Sequence, residues 1–307
     1  MMLKQSKTQL SLIIALGLMI LTHIGFVIYK KYQPLPEVPE QKVTHCGSAK
    51  AFGLISPKEK HFQVASVKEL DSVFRDWDYD LKKAKSEGKV PRLYLSKLPK
   101  DMRRKSRASN PTFIQTLLPH ILEVNEQIFA DRARLLEMRE RQRSGGHLRQ
   151  SEKMWLMKLA ADYRCKSSKV DSLLMHVDVI PPSLALSQAM LETGGGRSHA
   201  ALHKNSVFGH MATKTKVQKF ETLRHGVEAY MRNLNRHVAY ASFRKTRADL
   251  RSKNKEICGL KLATCLTKYS IRGTAYTQDL KRLIEKFGLK SYDKMELEKQ
   301  AMRLKPL

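Results

Sequence analysis

The stretch "PPSLALSQAMLE", residues 181–192, constrains the fold more than any other segment. Apolar and small side chains cover most of its surface if it is helical, and a helix that is apolar on several sides has to be surrounded by other elements. Pro182 suits the first turn of this helix, and the glycines at 194–196 suit its end. We therefore expect a mainly α domain built around this helix, with Glu192 at its C-terminal end.

The position of Glu192 predicts a carboxyl group with a raised pKa. The C-terminal end of a helix carries negative partial charge, and partial burial also disfavours the charged form. A carboxylic acid that is protonated near neutral pH can act as a general acid, and the glycines at 194–196 let a bulky polymer approach the backbone. On spacing alone, a solvent-facing glutamate before a glycine-rich helix end is the better interpretation.

The charge of the chain favours an anionic partner. The 307 residues carry a formal net charge of +28 and a pI of about 10.0. Nucleic acid, lipid headgroups and acidic polymers all meet this condition. The chain lacks the basic recognition helix and the interleaved aromatic residues of the usual nucleic-acid modules, so we expect no nucleic-acid partner.

The N-terminus predicts a membrane anchor. Residues 10–29 contain no charged side chain and have the length that a bilayer core requires. No small-residue cleavage site follows, so we expect an uncleaved signal anchor in the inner membrane, with the later residues on its periplasmic side. The expected organisation is an anchor at 1–32, a linker at 33–64, a helical N-terminal region at 65–164 that packs on the catalytic domain, the catalytic domain at 165–290 and a basic tail at 291–307.

Hydrophobic periodicity predicts the remaining elements. Helical runs are expected at 67–88 ending at Gly88, at 112–143 with Pro119 inside, after Ser151 as N-cap, at 224–251, and before Gly288. A short strand is expected within 90–99, a turn-rich stretch from 194 to 220, and at most a small strand pair near 207–220.

Cysteine and histidine spacing gives no metal site. There is no C-x-x-C pair, and Cys258 and Cys265 would lie about 10 Å apart in one helix, which is too far for a disulfide. Free thiols are favoured, although Gly259 leaves a disulfide open. His199 and His203 have a spacing that can bind zinc but lack the glutamate of H-E-x-x-H, so we expect exposed helix histidines, no metal and no cofactor.

Several motifs resemble a known family. The stretch "IPPSLALSQAMLETGGGRSHAALHKNSVFG" resembles the core of the glucosaminidase family, family 73 of the glycoside hydrolases, whose members carry an apolar helix, E-S-x-W-G and N-N-L-F-G. The stretches "GKVPRLYLSKLPKDM", "LPHILEVNEQIFADR" and "YSIRGTAYTQDLKRLI" resemble its Bax-like, membrane-anchored subgroup. The resemblance covers roughly residues 65–290.

The resemblance implies a lysozyme-like fold with a cleft and a small β-lobe, which is trimmed here. It implies hydrolysis of the β-1,4 bond after N-acetylglucosamine in peptidoglycan or a related anionic glycan. Glu192 matches the general acid, and Tyr269 matches the cleft tyrosine that contacts the substrate or the catalytic water. The expected substrate-binding residues are Asn205, Phe208 and Gly209 from the N-N-L-F-G motif, Tyr276 beside Tyr269, and Arg272, which suits a lactyl or peptide carboxylate.

Two departures from the family pattern leave the mechanism open. Gly195 stands where the family has tryptophan, which should admit water beside Glu192 and weaken the case for a raised pKa. A glycosidase normally uses two acids, and Glu221 and Glu228 are the nearest candidates, although surface positions are the simpler interpretation of both. Without a second carboxylate, the substrate's acetamido group could assist. The alternative function is a catalytically degenerate protein that binds the cell wall or scaffolds partners.

Overall fold

The computed structural model describes residues 60–104, 110–213 and 215–299. The predicted anchor, most of the linker and Cys46 lie outside these residues. In the described part of the chain, no helix is both long enough and apolar enough to cross a membrane. The described residues all belong to one compact unit, Leu54–Leu307.

The described chain is mainly helical, as the sequence predicts. The α-helices, numbered α1 to α11 in chain order, are Val67–Asp76, Leu81–Glu87, Asn110–Arg143, Gln150–Asp162, Val170–His176, Pro182–Thr193, His199–Lys204, Leu223–Arg236, Ala241–Ser252, Gly259–Ala263 and Thr274–Lys286. Shorter 3-10 helices span Lys100–Arg104, Val238–Tyr240 and Leu289–Lys294. The strands β1 to β4 are Lys60–Phe62, Lys89–Val90, Leu93–Leu95 and Glu296–Leu297.

Helix α6 lies at the centre of the fold. Every residue from Pro182 to Met190 is buried, and Pro182 occupies the first turn. The helix packs against α3, α10, α11 and the 3-10 helix Leu289–Lys294. A helix that is apolar on all sides thus finds neighbours on all sides, which confirms the expectation from its sequence. Because its surroundings are fixed, the position of Glu192 in its last turn is fixed as well.

The β-structure is small, and near residue 210 it stays within the prediction of at most a small strand pair. Strand β1 pairs in parallel with β3, and β2 pairs in parallel with β4. Strand β3 confirms the strand expected within 90–99. Between 207 and 220, the described residues form one isolated antiparallel bridge, Met211 to Val217, rather than a strand pair. The β-lobe expected from the family is therefore reduced to a bridged loop.

The C-terminal segment belongs to the fold as far as residue 299, which corrects its assignment to a tail. Strand β4 pairs Glu296 with Lys89 and Leu297 with Val90. The 3-10 helix before it contributes apolar side chains to the core, and the buried residues of this segment are Leu289, Tyr292, Met295 and Leu297. The sequence did not indicate that this segment is folded, because the few apolar residues among its lysines do not recur with a helical period.

Three helix boundaries differ from the prediction. The run at 67–88 breaks after Asp76, because Asp78 adopts a positive φ of 50° and the Asp80 carboxylate caps α2 by accepting from the amide of Lys82 at 2.7 Å. The predicted N-cap at Ser151 is wrong, since α4 begins at Gln150. The run at 224–251 breaks at His237, whose backbone is extended.

Other local predictions are confirmed. Gly88 adopts the left-handed conformation that ends α2, and Gly288 does so after α11. Pro119 lies inside α3. Cys258 and Cys265 are free thiols, as is Cys165. The stretch 194–220 is turn-rich, but it also contains the short helix α7, which begins where the Ser198 hydroxyl accepts from the amide of Ala201.

Candidate active site

Glu192 lies in the last turn of α6, just before three consecutive glycines with positive φ. Their φ angles are 62°, 77° and 82° for Gly194, Gly195 and Gly196. The Thr193 hydroxyl donates to the carbonyl of Ala189 at 2.6 Å and accepts from the amide of Gly196 at 2.8 Å, which fixes the turn. Left-handed φ angles in succession explain why glycine occurs at all three positions.

Gly195 and Gly196 pack against the protein rather than opening the backbone to a polymer, which corrects the expectation from sequence for these two glycines, whereas Gly194 is exposed. A Cβ on Gly195 would lie 2.5 Å from Oδ1 of Asn110, and a Cβ on Gly196 would lie 2.6 Å from the ring of Phe113. Both glycines are buried. The N-terminal turns of α3 therefore occupy the space that side chains here would need, and the site left by the family tryptophan is covered by protein.

The Glu192 carboxyl group is partly buried and hydrogen-bonded. The hydroxyl of Tyr276 donates to its Oε1 at 2.9 Å. Burial raises the pKa of Glu192, and this effect outweighs the hydrogen bond from Tyr276 and the charge of Arg272, which both lower it. The raised pKa expected from sequence is present, with burial as its main cause despite Gly195.

A chain of buried hydrogen bonds leads from the core to Glu192. The hydroxyl of Tyr230 donates to Oε1 of Gln188 at 2.7 Å, and Nε2 of Gln188 donates to the hydroxyl oxygen of Tyr276 at 2.9 Å. All three side chains are fully or almost fully buried. Since Gln188 occupies the acceptor site of Tyr276, the Tyr276 proton is directed to Glu192.

Sequence reasoning missed Gln188 and Tyr230. The available signal was the single amide in a largely apolar helix, one turn before Glu192 and therefore on the same face. A buried polar group of this kind requires a partner, and the pattern alone did not show which partner it has.

A cavity of about 440 Å³ opens beside Glu192, lined among others by Phe208, Gly209, Tyr240 and Tyr269. The Tyr269 hydroxyl donates to the carbonyl of Phe208 at 2.9 Å. Because the Tyr269 proton is donated to that carbonyl, the Tyr269 oxygen can only accept a hydrogen bond from a substrate. Phe208, Gly209 and Tyr269 all line this cavity, and their contact with a substrate stays a prediction.

Tyr276 lies behind the cleft rather than in it. Its side chain is 2% exposed, and its ring stacks on Tyr269 with centroids 5.5 Å apart. The structure therefore places Tyr276 as a positioning residue for Glu192, not as the direct substrate contact that the sequence suggested.

Asn205 and Arg272 also have protein partners. The Asn205 amide is buried and donates to the carbonyls of Phe220 and Glu221 at 3.1 and 2.9 Å, so it joins the end of α7 to the following segment. Asn205 does not line the cleft. Arg272 is half-exposed and paired with Asp279, although its charge acts on Glu192.

Neither predicted second carboxylate reaches the cleft. Glu221 is exposed, and its Oε2 lies 3.9 Å from Nδ1 of His225. Glu228 accepts from Arg232 at 2.6 Å and from Arg224 at 3.3 Å on the surface of α8. A helix that carries arginines four residues before and after a glutamate holds that glutamate in ion pairs on its own face.

Glu192 is the one carboxylate among the cleft-lining residues that the structure describes. The positions left out between 60 and 299, which are 105–109 and 214, contain no aspartate or glutamate. In the described ranges, no group of three or more histidine, cysteine, aspartate or glutamate side chains could hold a metal ion. His199 and His203 stack on each other with ring centroids 4.4 Å apart.

A partly buried carboxylic acid with raised pKa at the edge of a cleft is an arrangement that glycoside hydrolases use for proton donation. Residues 172–289 match the family model described as mannosyl-glycoprotein endo-beta-N-acetylglucosaminidase, the glucosaminidase domain. The chain is also 32% identical over 213 residues to Protein bax of Escherichia coli (strain K12), across 62% of this chain and 74% of that protein. The chain belongs to the glucosaminidase family, and Protein bax is a relative of similar sequence. No solved structure matches this chain.

Proposed function

We propose that this protein hydrolyses the β-1,4 bond after N-acetylglucosamine in peptidoglycan, with Glu192 as the general acid. The observation that carries the proposal is the partly buried Glu192 carboxyl group, with raised pKa, at the edge of a cleft. Membership of the glucosaminidase family supports glycoside hydrolysis as the reaction class. A raised pKa keeps an acid protonated near neutral pH, as proton donation to a leaving group requires.

Glu192 donates its proton from Oε2. Its Oε1 accepts from Tyr276, whose own acceptor site is used by Gln188, so the exchangeable proton belongs on the other oxygen. Oε2 is also the atom beside Gly209 in the cleft. The proton passes to the glycosidic oxygen as the bond between that oxygen and the sugar C1 breaks.

The substrate's own acetamido group supplies the second catalytic function. Its carbonyl oxygen bonds to C1 as the glycosidic bond breaks, forming a cyclic oxazolinium. A water molecule then attacks C1, the oxazolinium opens, and the water's proton returns to the Glu192 carboxylate. The support is that Glu192 has no carboxylate partner in the described cleft, whereas enzymes that use two acids place both beside the bond.

We further propose that residues 10–29 anchor the protein in the inner membrane, with the domain on the periplasmic side and the fold lysozyme-like. The uncharged length of that segment supports an anchor. The net charge of +28 would hold the domain near anionic glycan strands.

A second candidate function is binding of the cell wall without hydrolysis. The same single carboxylate favours it, together with Gly195 in place of the family tryptophan. The two candidates share the cleft and differ in whether Glu192 transfers a proton.

The test uses the full-length chain, purified in detergent, and peptidoglycan sacculi. Released fragments are identified by mass spectrometry, beside the variant Glu192→Gln, which keeps the size and the hydrogen bond from Tyr276. Fragments with N-acetylglucosamine at the reducing end, absent with the variant, are expected. If both proteins sediment with sacculi and release nothing, the wall-binding function replaces hydrolysis.

A further inference from the structure

The cleft carries a polar surface that the proposed proton transfer does not use. Besides Glu192 and the aromatic wall, the cavity is lined by His210, Gln218, Asn233 and Arg236. Two of these side chains, His210 and Arg236, lack the protein partners that groups of their kind normally have.

Arg236 makes no ion pair with a carboxylate of the described residues. It is the last residue of α8, and the described residues place no aspartate or glutamate oxygen within 4.0 Å of it. Its charged neighbours include Arg164 and Arg232, whose repulsion adds to burial in lowering its pKa, with Asp162 opposing. Arg232, one turn earlier, donates to Glu228 at 2.6 Å. Of these two arginines of α8, Arg232 is paired with a carboxylate and Arg236 is not.

His210 has two buried ring nitrogens, and neither makes a hydrogen bond of normal distance and angle to a described residue, although the Ala229 backbone is close enough to act on the ring. Its ring packs edge-on against Phe220, with centroids 5.7 Å apart. Burial lowers the pKa of His210 to about 4, and the charge of Arg236 contributes in the same direction against an interaction with the Ala229 backbone. The imidazole is therefore neutral at pH 7 and offers one N–H donor and one acceptor. Buried polar atoms without partners destabilise a fold unless a ligand or water satisfies them.

We propose that Arg236 and His210 form a subsite for a carboxylate carried by the glycan strand. The guanidinium supplies the charge and a charge-assisted hydrogen bond. The imidazole, whose ring nitrogens are buried in this structure, adds a second hydrogen bond when its ring turns toward the cavity. Both groups line the same 440 Å³ cavity as Glu192, so a strand that presents its glycosidic bond to Glu192 presents a neighbouring substituent to them. This proposal rests on the proposed glycan substrate and specifies that the substrate is acidic. It does not require hydrolysis.

The chemistry fits two carboxylates of a peptidoglycan strand. One is the lactyl ether carboxylate of muramic acid, and the other belongs to the attached peptide. A neutral polymer of N-acetylglucosamine has neither and leaves Arg236 unpaired. The subsite would therefore select acidic over neutral glycans, since a neutral ligand that covers the partly buried guanidinium removes water from it and offers no charged partner in return.

Binding is measured by calorimetry in the Glu192→Gln background, where the ligand is not cleaved. The probes are a peptide-free tetrasaccharide of alternating N-acetylglucosamine and N-acetylmuramic acid, the same sugar with its stem peptides, and the neutral tetramer of N-acetylglucosamine. Adding Arg236→Gln should weaken binding of an acidic probe by about 10- to 100-fold, the effect of one charge-assisted hydrogen bond. The ratio of the acidic to the neutral dissociation constant should change by a similar factor.

The matched control is Arg232→Gln, which removes the same charge one turn away from an arginine that already has a carboxylate partner. Arg232→Gln should change the ratio of the acidic to the neutral dissociation constant by no more than about twofold. A second variant, His210→Phe, keeps an aromatic ring against Phe220 and should also reduce the preference for the acidic probe. Circular dichroism checks that each variant is folded.

The probes separate the two carboxylate sources. If Arg236→Gln weakens binding of the peptide-free tetrasaccharide, the subsite binds the lactyl carboxylate. If it weakens binding of the peptide-bearing sugar alone, the subsite binds a carboxylate of the peptide. An unchanged ratio in folded Arg236→Gln, or an equal change in Arg232→Gln, overturns the proposal. Because all arms measure binding, a failure of sacculus hydrolysis leaves these results distinct from that of the proposed reaction.

Discussion

Gly209 lies so close to the Glu192 carboxyl group that a Cβ at residue 209 would be 3.1 Å from Oε2. Its φ of 69° also favours glycine. The Tyr276 hydroxyl donates a hydrogen bond to the other carboxyl oxygen, Oε1, at 2.9 Å. One oxygen is thus held by the protein, and the other has open space beside it only because residue 209 has no side chain.

Replacing Gly209 with alanine should reduce hydrolysis far more than stability. The left-handed backbone costs about 1 kcal/mol for alanine. The added methyl group displaces Oε2 or the glycosidic oxygen, and misplacement of a reacting group by about 1 Å costs roughly 100-fold in rate. The control is Gly88→Ala, with the same φ of 69° and no atom within 4 Å of the new Cβ. Fragment release and urea unfolding are measured for both, and equal activity in the two variants would contradict the assignment.

Replacing Tyr276 with phenylalanine should shift the alkaline limb of the pH profile to higher pH. The Tyr276 hydrogen bond lowers the pKa of Glu192, so its loss raises that pKa further. A general acid works while protonated, and activity is lost as pH rises through its pKa. The variant should also lose about 1–3 kcal/mol of stability, because the buried Gln188 amide loses its acceptor.

The control for this variant is Tyr269→Phe. Its hydroxyl donates to the carbonyl of Phe208 and not to Glu192. The rate of fragment release is followed from pH 5 to pH 9 for both variants. If the limb stays in place in Tyr276→Phe, or moves equally in Tyr269→Phe, the hydrogen bond to Oε1 does not set the protonation of Glu192.

The central helix was predictable because burial leaves a strong pattern in sequence. A run from Pro182 to Leu191 without a charged residue admits few folds other than a buried helix. The cleft position of Glu192 was expected only from the resemblance, since spacing alone favoured a solvent-facing glutamate. The resemblance to a family added Phe208, Gly209 and Tyr269, which all line the cavity.

The partners of these residues were not predictable, because they are set by three-dimensional packing. Gln188 meets Tyr230 and Tyr276, which lie 42 and 88 residues later in the chain. Gly195 resembled a missing cleft wall, yet α3 fills its place from 85 residues earlier in the sequence. A single sequence contains no signal for contacts of this separation beyond the polarity of each residue.

The carboxyl group of Asp293 should make stability fall as pH rises from 4 to 7. It accepts from the amide and the hydroxyl of Ser183, both at 2.8 Å, and from the amide of Gly259 at 3.3 Å. Burial nevertheless raises its pKa to about 6. A folded pKa above the unfolded value means that its stabilising contribution is present below about pH 4 and lost through pH 6, by up to about 3 kcal/mol.

Urea unfolding at each pH tests this, with Asp293→Asn beside the parent chain. The variant cannot titrate, so its free energy of unfolding should fall less between pH 4 and pH 7. Glu256→Gln serves as control, since Glu256 is half-exposed and raises the pKa of Asp293 only by its charge. Parallel pH curves for the parent and Asp293→Asn would show that this group does not titrate in that interval.

Restoring the family tryptophan at residue 195 should destabilise the fold without raising activity. The φ of 77° strains any side chain, and the new Cβ would lie 2.5 Å from Oδ1 of Asn110, so the start of α3 has to move. Overpacking of this kind costs about 1–3 kcal/mol beyond the backbone strain of about 1 kcal/mol. The control is Gly194→Ala, with a φ of 62° but its nearest atom at 3.8 Å, which isolates the strain from the clash. Thermal unfolding and fragment release are compared for Gly195→Ala, Gly195→Trp and Gly194→Ala. A Gly195→Trp variant that is stable and more active would mean that the glycine does leave a gap in the cleft wall, and that the packing of α3 against it yields readily.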